Sequence, residues 1–150
     1  MSPTAIAVLN TRSVEGEVLF TQRKGGVYIE AEFKKLPSGL HGFHIHKGGD
    51  LRGEGCKMAC DHYHVGLPQN HGGPPGQGKK SERHTGDLGN VSVGRYTYIL
   101  KDLTVEDLWG RSVIIHADED DYGLGGKEDS LTTGNSGKRI ACGIIGRIVC

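Results

Sequence analysis

"GLHGFHIH", residues 39–46, sets three histidines in eight positions, and two of them, His44 and His46, are separated by one residue. Successive side chains of a strand point to opposite faces, so residues two apart share a face and lie close enough to grip one ion. Phe43 and Ile45 then point the other way. The segment reads as a strand with an apolar side for the core and an imidazole side for chemistry. Chance can also leave two surface histidines at alternate positions, so the rest of the chain has to decide.

Outward from that strand, short alternating segments recur: "TAIAVLN" (4–10), "GEVLFTQ" (16–22), "VYIEAEFKKL" (27–36), "YTYILKDL" (96–103), "RSVIIHA" (111–117) and "RIACGIIGRIV" (139–149). Glycine, proline or serine punctuates them, with "KGG" at 24–26 a hairpin signal and "LPSG" at 36–39 a turn into the histidine strand. Sustained helical periodicity capped at both ends is absent from the sequence. Many short strands and few helices predict an all-β sandwich or barrel with Greek-key connections. Two stretches break the rhythm, 47–90 and 117–138, and loops of that length without their own secondary structure are usually functional. The first is poor in apolar residues but carries His62, His64, His71, His84 and Asp87, and a bound metal can supply the ordering energy that a core cannot.

Composition sets the outer bounds. A chain of 150 residues fits one domain, 1–150, and is long enough to bury roughly two-thirds of its unfolded surface. Eighteen basic and eighteen acidic side chains leave a formal charge of +0, so no global field points to nucleic acid or membrane, and a charged substrate has to be steered locally. The first ten residues lack the basic start and long apolar run of a signal peptide, and the expectation is a cytoplasmic protein. Cys56, Cys60, Cys142 and Cys150 are too scattered for a disulfide-stapled scaffold, and free thiols are the default in a reducing compartment.

Taken together, "GLHGFHIH", "DHYH", "NHGGP", "ERHTGDLGN", "IIHADEDDYGLGG" and "TGNSGKRIACGIIG" resemble the successive signatures of the Cu/Zn superoxide dismutases, over nearly the whole chain. The resemblance implies an eight-stranded Greek-key β-barrel or sandwich, immunoglobulin-like, with long metal-binding and electrostatic loops. It implies copper bound by His44, His46, His62 and His116, and zinc bound by His62, His71, His84 and Asp87, His62 bridging the two. Asp120 matches a carboxylate linking His44 to His71, Arg139 an anion-guiding arginine, and Cys56 with Cys142 an intrasubunit disulfide. The implied activity is dismutation of superoxide by alternating copper reduction and reoxidation, His62 supplying a proton. The implied partners are the superoxide anion, a copper chaperone and a second copy of the chain, with the homodimer favoured narrowly over a monomer. A non-catalytic copper-delivery or metal-binding module is the rival, set against by the complete ligand set and Arg139.

The chain also departs from the family. His64 stands where asparagine is usual, and is read as a solvent-facing or hydrogen-bonding residue, with competition for zinc as the alternative. The run from His71 to His84 is long. In the guidance loop Thr132 replaces a basic residue beside Glu128 and Asp129, and Lys127 and Lys138 are expected to compensate. Gly48, Gly49, Trp109 and Arg147 are unusual at the dimer face. His41, three before His44, is expected to be structural.

Overall fold

The computed structural model describes residues 2–76 and 82–150, so the middle of the long His71–His84 run lies outside the described residues. Nine strands are found among them: β1 (Ala5–Asn10), β2 (Glu15–Arg23), β3 (Gly26–Lys35), β4 (His41–His46), β5 (Asp87–Val91), β6 (Gly94–Lys101), β7 (Ser112–His116), β8 (Arg139–Ile144) and β9 (Gly146–Arg147). They form two antiparallel sheets, ordered β6-β3-β2-β1-β9 and β5-β4-β7-β8. The chain crosses between sheets after β3, β5, β6 and β8, giving the expected Greek-key sandwich.

Local signals account for much of this. Lys24 and Gly25 form the two-residue turn between β2 and β3, with Gly25 at φ +85°, where a side chain would be strained. Alternation places Leu9, Val18, Phe20, Ile29 and Phe33 inside, fully or almost fully buried, while Glu17, Glu30 and Lys34 face out. Phe33 meets Phe43 of the other sheet edge to face, ring centroids 5.3 Å apart, so the sheets interlock at that point. A short 3₁₀ turn, Val105–Leu108, is closed by a reciprocal cap between Thr104 and Asp107 and drops Val105 and Leu108 into the core.

Two segments differ from the sequence expectation. "RIACGIIGRIV" is divided at Ile145, so that β8 stays with the histidine sheet and β9 pairs with β1 in the other. The end of the first long loop, "DLGNV", is a strand, β5, although Asp, Gly and Asn are poor strand formers. It lies beside β4, with Asp87 opposite His44.

Register explains where the histidines go. Phe43 pairs with Ile115 and Ile45 with Val113, and all four are buried between the sheets. His44 pairs with Ile114 and His46 with Ser112 on the opposite face, which His116 shares by strand alternation. That face is not solvent-exposed: the loops cover it, and every residue of β4 is buried. One cover is pinned covalently, because Cys142 of β8 is bonded to Cys56. Cys60 and Cys150 are free and exposed.

The Cys56–Cys142 bond closes 86 residues of sequence. Cys142→Ser should therefore lower the stability of the metal-free chain by up to about 4.6 kcal/mol in the chain-entropy account. Urea unfolding of variant and parent checks this; equal midpoints would show that the loop is ordered without the bond.

Candidate metal centre

β4 contributes His44 and His46, β7 ends on His116, and His62 enters from the covering loop through an isolated bridge to His46. The β7–β8 register is irregular between Ile115 and His116, whose partners are Ala141 and Arg139, so the extra residue, Ile140, lies on β8. Ring centroids lie 4.0 Å apart for His44 and His62, 4.9 Å for His46 and His62, and 4.7 Å for His44 and His116.

Each ring has one nitrogen engaged, which fixes its tautomer. His44 Nε2 donates to Asp120 Oδ2 at 2.6 Å, His46 Nδ1 to the Cys60 carbonyl at 2.8 Å, and His116 Nδ1 to the Gly137 carbonyl at 3.1 Å. His62 Nδ1 lies 2.8 Å from Asp87 Oδ1. The other nitrogen of each, His44 Nδ1, His46 Nε2, His62 Nε2 and His116 Nε2, is buried without a hydrogen-bond partner. Only one further buried side-chain atom among the described residues shares that condition, the Tyr98 hydroxyl. Four lone pairs turned toward one another and shielded from water are costly unless a cation receives them. Burial, reinforced by repulsion among the rings, pushes His44 and His46 well below the ordinary imidazole value and His116 down to about 4, so these donors are neutral as metal ligation requires.

A second set adjoins the first. Asp87 Oδ1 faces His62 Nδ1 at 2.8 Å, His71 Nδ1 at 2.9 Å and His84 Nδ1 at 3.5 Å. His62 Nδ1 is 3.3 Å from His71 Nδ1 and 3.4 Å from His84 Nδ1. A tetrahedron with metal–nitrogen bonds of about 2.0 Å has edges of about 3.3 Å, so these separations fit one zinc-type ion. Proximity also brings His44 near this set. Its Nε2 is committed to Asp120 and its Nδ1 belongs to the first set, whereas His84 keeps Nδ1 open by donating Nε2 to the Gln69 carbonyl at 2.8 Å.

Asp120 joins the sets. Its Oδ2 accepts from His44, and its Oδ1 accepts from His71 Nε2 at 2.7 Å and the Tyr122 amide at 2.8 Å. Two residues absent from the sequence expectation hold it. Asn90 donates to the Asp120 carbonyl and accepts from its amide, at 2.8 and 2.7 Å. Gly134, at φ +75°, leaves the space that a Cβ would take from Asp120 Oδ1 and His71 Nε2. Asn90 sat within the quoted "ERHTGDLGN", but its partner is 30 positions away and only the fold reveals it.

Arg139 opposes His116 in the β7–β8 register. Its Nη1 donates to the Cys56 carbonyl at 2.8 Å and its Nη2 to the Cys60 carbonyl at 2.7 Å. It borders a cavity of about 280 Å³ that His62, His84, Thr132 and Thr133 also line. Lys127 and Lys138 are exposed and are not among its lining residues. His64 is engaged at both nitrogens, Nδ1 accepting from the Thr85 amide at 3.1 Å and Nε2 donating to the Leu67 carbonyl at 2.8 Å, so the hydrogen-bonding reading describes it. His41, buried, bonds the His116 and Pro37 carbonyls at 2.9 and 2.8 Å, at the base of the site.

Fold and site together define a class: a Greek-key β-sandwich whose loop-covered face carries two adjoining, imidazole-rich donor sets sharing one histidine. The chain belongs to the copper/zinc superoxide dismutase family, whose model matches residues 14–145. Copper and zinc are accordingly its metals, and the two donor sets fit an ion each. It is 41% identical over 152 residues to a Cu-Zn superoxide dismutase of Paramecium bursaria Chlorella virus 1, covering 95% of this chain and 78% of that one. It is 44% identical over 150 residues to the mouse copper chaperone for superoxide dismutase, covering 95% of this chain but 53% of that protein, about half its length. The crystal structure of the clock protein EA4 superposes with a TM-score of 0.84 at 38% identity, covering 99% of this chain and 97% of that one.

The protonation pattern makes a prediction for the metal-free chain. His71 is drawn two ways: burial lowers its pKa, but Asp120 and Asp87 on its two nitrogens prevail and hold it protonated up to about 9. Between its ordinary value of 6.5 and 9 the folded state binds the extra proton, so stability falls as pH rises through that window. His116, at about 4, and its depressed neighbours act oppositely: from 4 to 6.5 the unfolded chain binds more protons, so stability rises with pH. The urea midpoint of the metal-free chain should peak near neutral pH, and His71→Gln should flatten the alkaline limb.

Proposed function

We propose that residues 1–150 act as one domain that dismutes superoxide, converting two superoxide anions and two protons to dioxygen and hydrogen peroxide. The observation that carries the reading is the set of four partnerless, buried imidazole nitrogens on His44, His46, His62 and His116, with a guanidinium fixed beside a cavity that His62 lines. On this reading those four hold copper, which supplies a one-electron couple able to take an electron from one superoxide and give it to the next. His62, His71, His84 and Asp87 hold zinc.

The protein's own contribution is then positional and electrostatic. Arg139 is permanently charged and offers several donors, so it draws a small anion to the mouth of the site and orients it there. When its Nε2 is not holding copper, His62 would take up a proton there and pass it to the reduced product, its ring kept in place through Nδ1 beside Asp87. Asp120 fixes the rotation of His44 and His71, leaving Nδ1 of each for the metal.

The free, exposed Cys60 and Cys150 suit a reducing compartment, and we place the protein in the cytoplasm. Among the described residues no helix is long and apolar enough to cross a membrane. Val8, Trp109 and Ile144 are exposed and favour a homodimer, with Arg147 lying 5.3 Å over the Trp109 ring. A copper chaperone is the expected donor of the metal.

The similarity to a copper chaperone favours a second reading, in which the domain holds copper for another protein. One experiment separates the two: load the zinc-bound chain with one equivalent of copper and follow superoxide decay directly. Dismutation predicts fast, copper-dependent decay that collapses in His116→Ala and falls about tenfold in Arg139→Gln. Tight copper binding with decay no faster than that of free copper would support the delivery reading.

A further inference from the structure

The cavity beside Arg139 carries an opposing charge of its own. Asp61, directly before His62, lines the same cavity as Arg139. Among the described lining residues, Arg139 is the one permanent cation and Asp61 the one carboxylate. The position where a basic residue is usual, Thr132, contributes a neutral hydroxyl to the same wall.

Asp61 has little structural employment. Its carboxylate is 88% exposed, and its one ion-pair partner among the described residues is Lys47 Nζ, at 3.9 Å, the edge of contact. Its backbone does the local holding, through the carbonyl that accepts from the Lys47 amide at 2.9 Å, and that bond does not depend on the side chain. Asp61 follows Cys60, whose carbonyl receives Arg139 Nη2, so chain connectivity keeps the carboxylate close to the guanidinium. The field of Asp61 reaches Arg139 as well, opposing burial, which lowers that pKa.

We propose that Asp61 is a specificity-determining residue of the anion entrance: its carboxylate partly cancels Arg139 and lowers the site's attraction for small monoanions. This rests on the dismutase reading for its substrate, superoxide, but the electrostatic claim holds for any monoanion entering the cavity. With a formal charge of +0 over the whole chain, local charges of this kind set the field at the entrance. One unit charge roughly 10 Å from an approaching monoanion, in a water-like medium, changes its capture about twofold.

The test compares Asp61→Asn and Asp61→Glu with the parent, all loaded with copper and zinc. Azide titration, followed by the absorption of the copper protein, reads monoanion affinity without turnover, and stopped-flow superoxide decay across ionic strengths reads capture. Asp61→Asn should bind azide about twofold more tightly and react about twofold faster at low salt, the gain vanishing near 1 M, where the screening length is about 3 Å. Asp61→Glu should match the parent, which a packing role for the aspartate would not give. Unchanged or weaker azide binding in Asp61→Asn overturns the proposal. If every variant lacks copper-dependent decay while azide affinity still rises in Asp61→Asn, the dismutase reading fails and the role of Asp61 stands.

Discussion

The Asp120 carboxylate is the constraint on which the site depends. One oxygen receives His44 and the other receives His71, so a single side chain sets the orientation of one ring in each donor set. An imidazole has two nitrogens, and a ring turned over would offer a hydrogen where a lone pair is needed. Asp120 removes that freedom twice, and it is itself immobilised through Asn90 and the Tyr122 amide. The two sets are thereby coupled mechanically, in addition to sharing His62.

Burial does the complementary work. The imidazole face of the four-stranded sheet lies under loops, and desolvation keeps His44, His46, His62 and His116 from holding a proton that would exclude a metal. The second set is arranged differently. There Asp87, also desolvated but with its carboxyl held well below the usual range by its histidine hydrogen bonds, supplies a fixed negative charge at the centre of three rings. As ligands, with His71 having given up its extra proton, the second set is anionic and the first neutral, which suits a structural ion beside a redox one.

The Cys60 carbonyl connects the geometry of the first donor set to the placement of Arg139. It accepts from His46 Nδ1 and from Arg139 Nη2, and the Cys56 carbonyl accepts the other end of the same guanidinium. Both cysteines sit at left-handed φ, 56° and 64°, around the short turn that presents these carbonyls. Because Cys56 is also bonded to β8, the loop that orients a metal-facing ring and the strand that carries Arg139 move as one piece. Asp61 and His62 leave this same segment, placing an opposing charge and the shared histidine beside each other.

Sequence alone determined the fold class, the histidine strand and its two faces, because side-chain alternation and turn residues are local signals. Likeness to a known set of motifs then pointed to the histidines and carboxylates that the fold gathers, to the disulfide pair and to Arg139. The strand β5, hidden in "DLGNV", was not legible, since its residues are weak strand formers and pairing with β4 overrides that preference. Nor was the division of the last strand at Ile145, which serves two sheets at once. The holding of Asp120 by Asn90, the space left at Gly134 and the double role of the Cys60 carbonyl were decided by tertiary structure. Backbone acceptors have the same chemistry in every residue, and contacts across 14 to 79 positions leave no periodic trace in the chain. The opposition of Asp61 and Arg139 across one cavity belongs with them, because only folding brings the two charges to the same entrance.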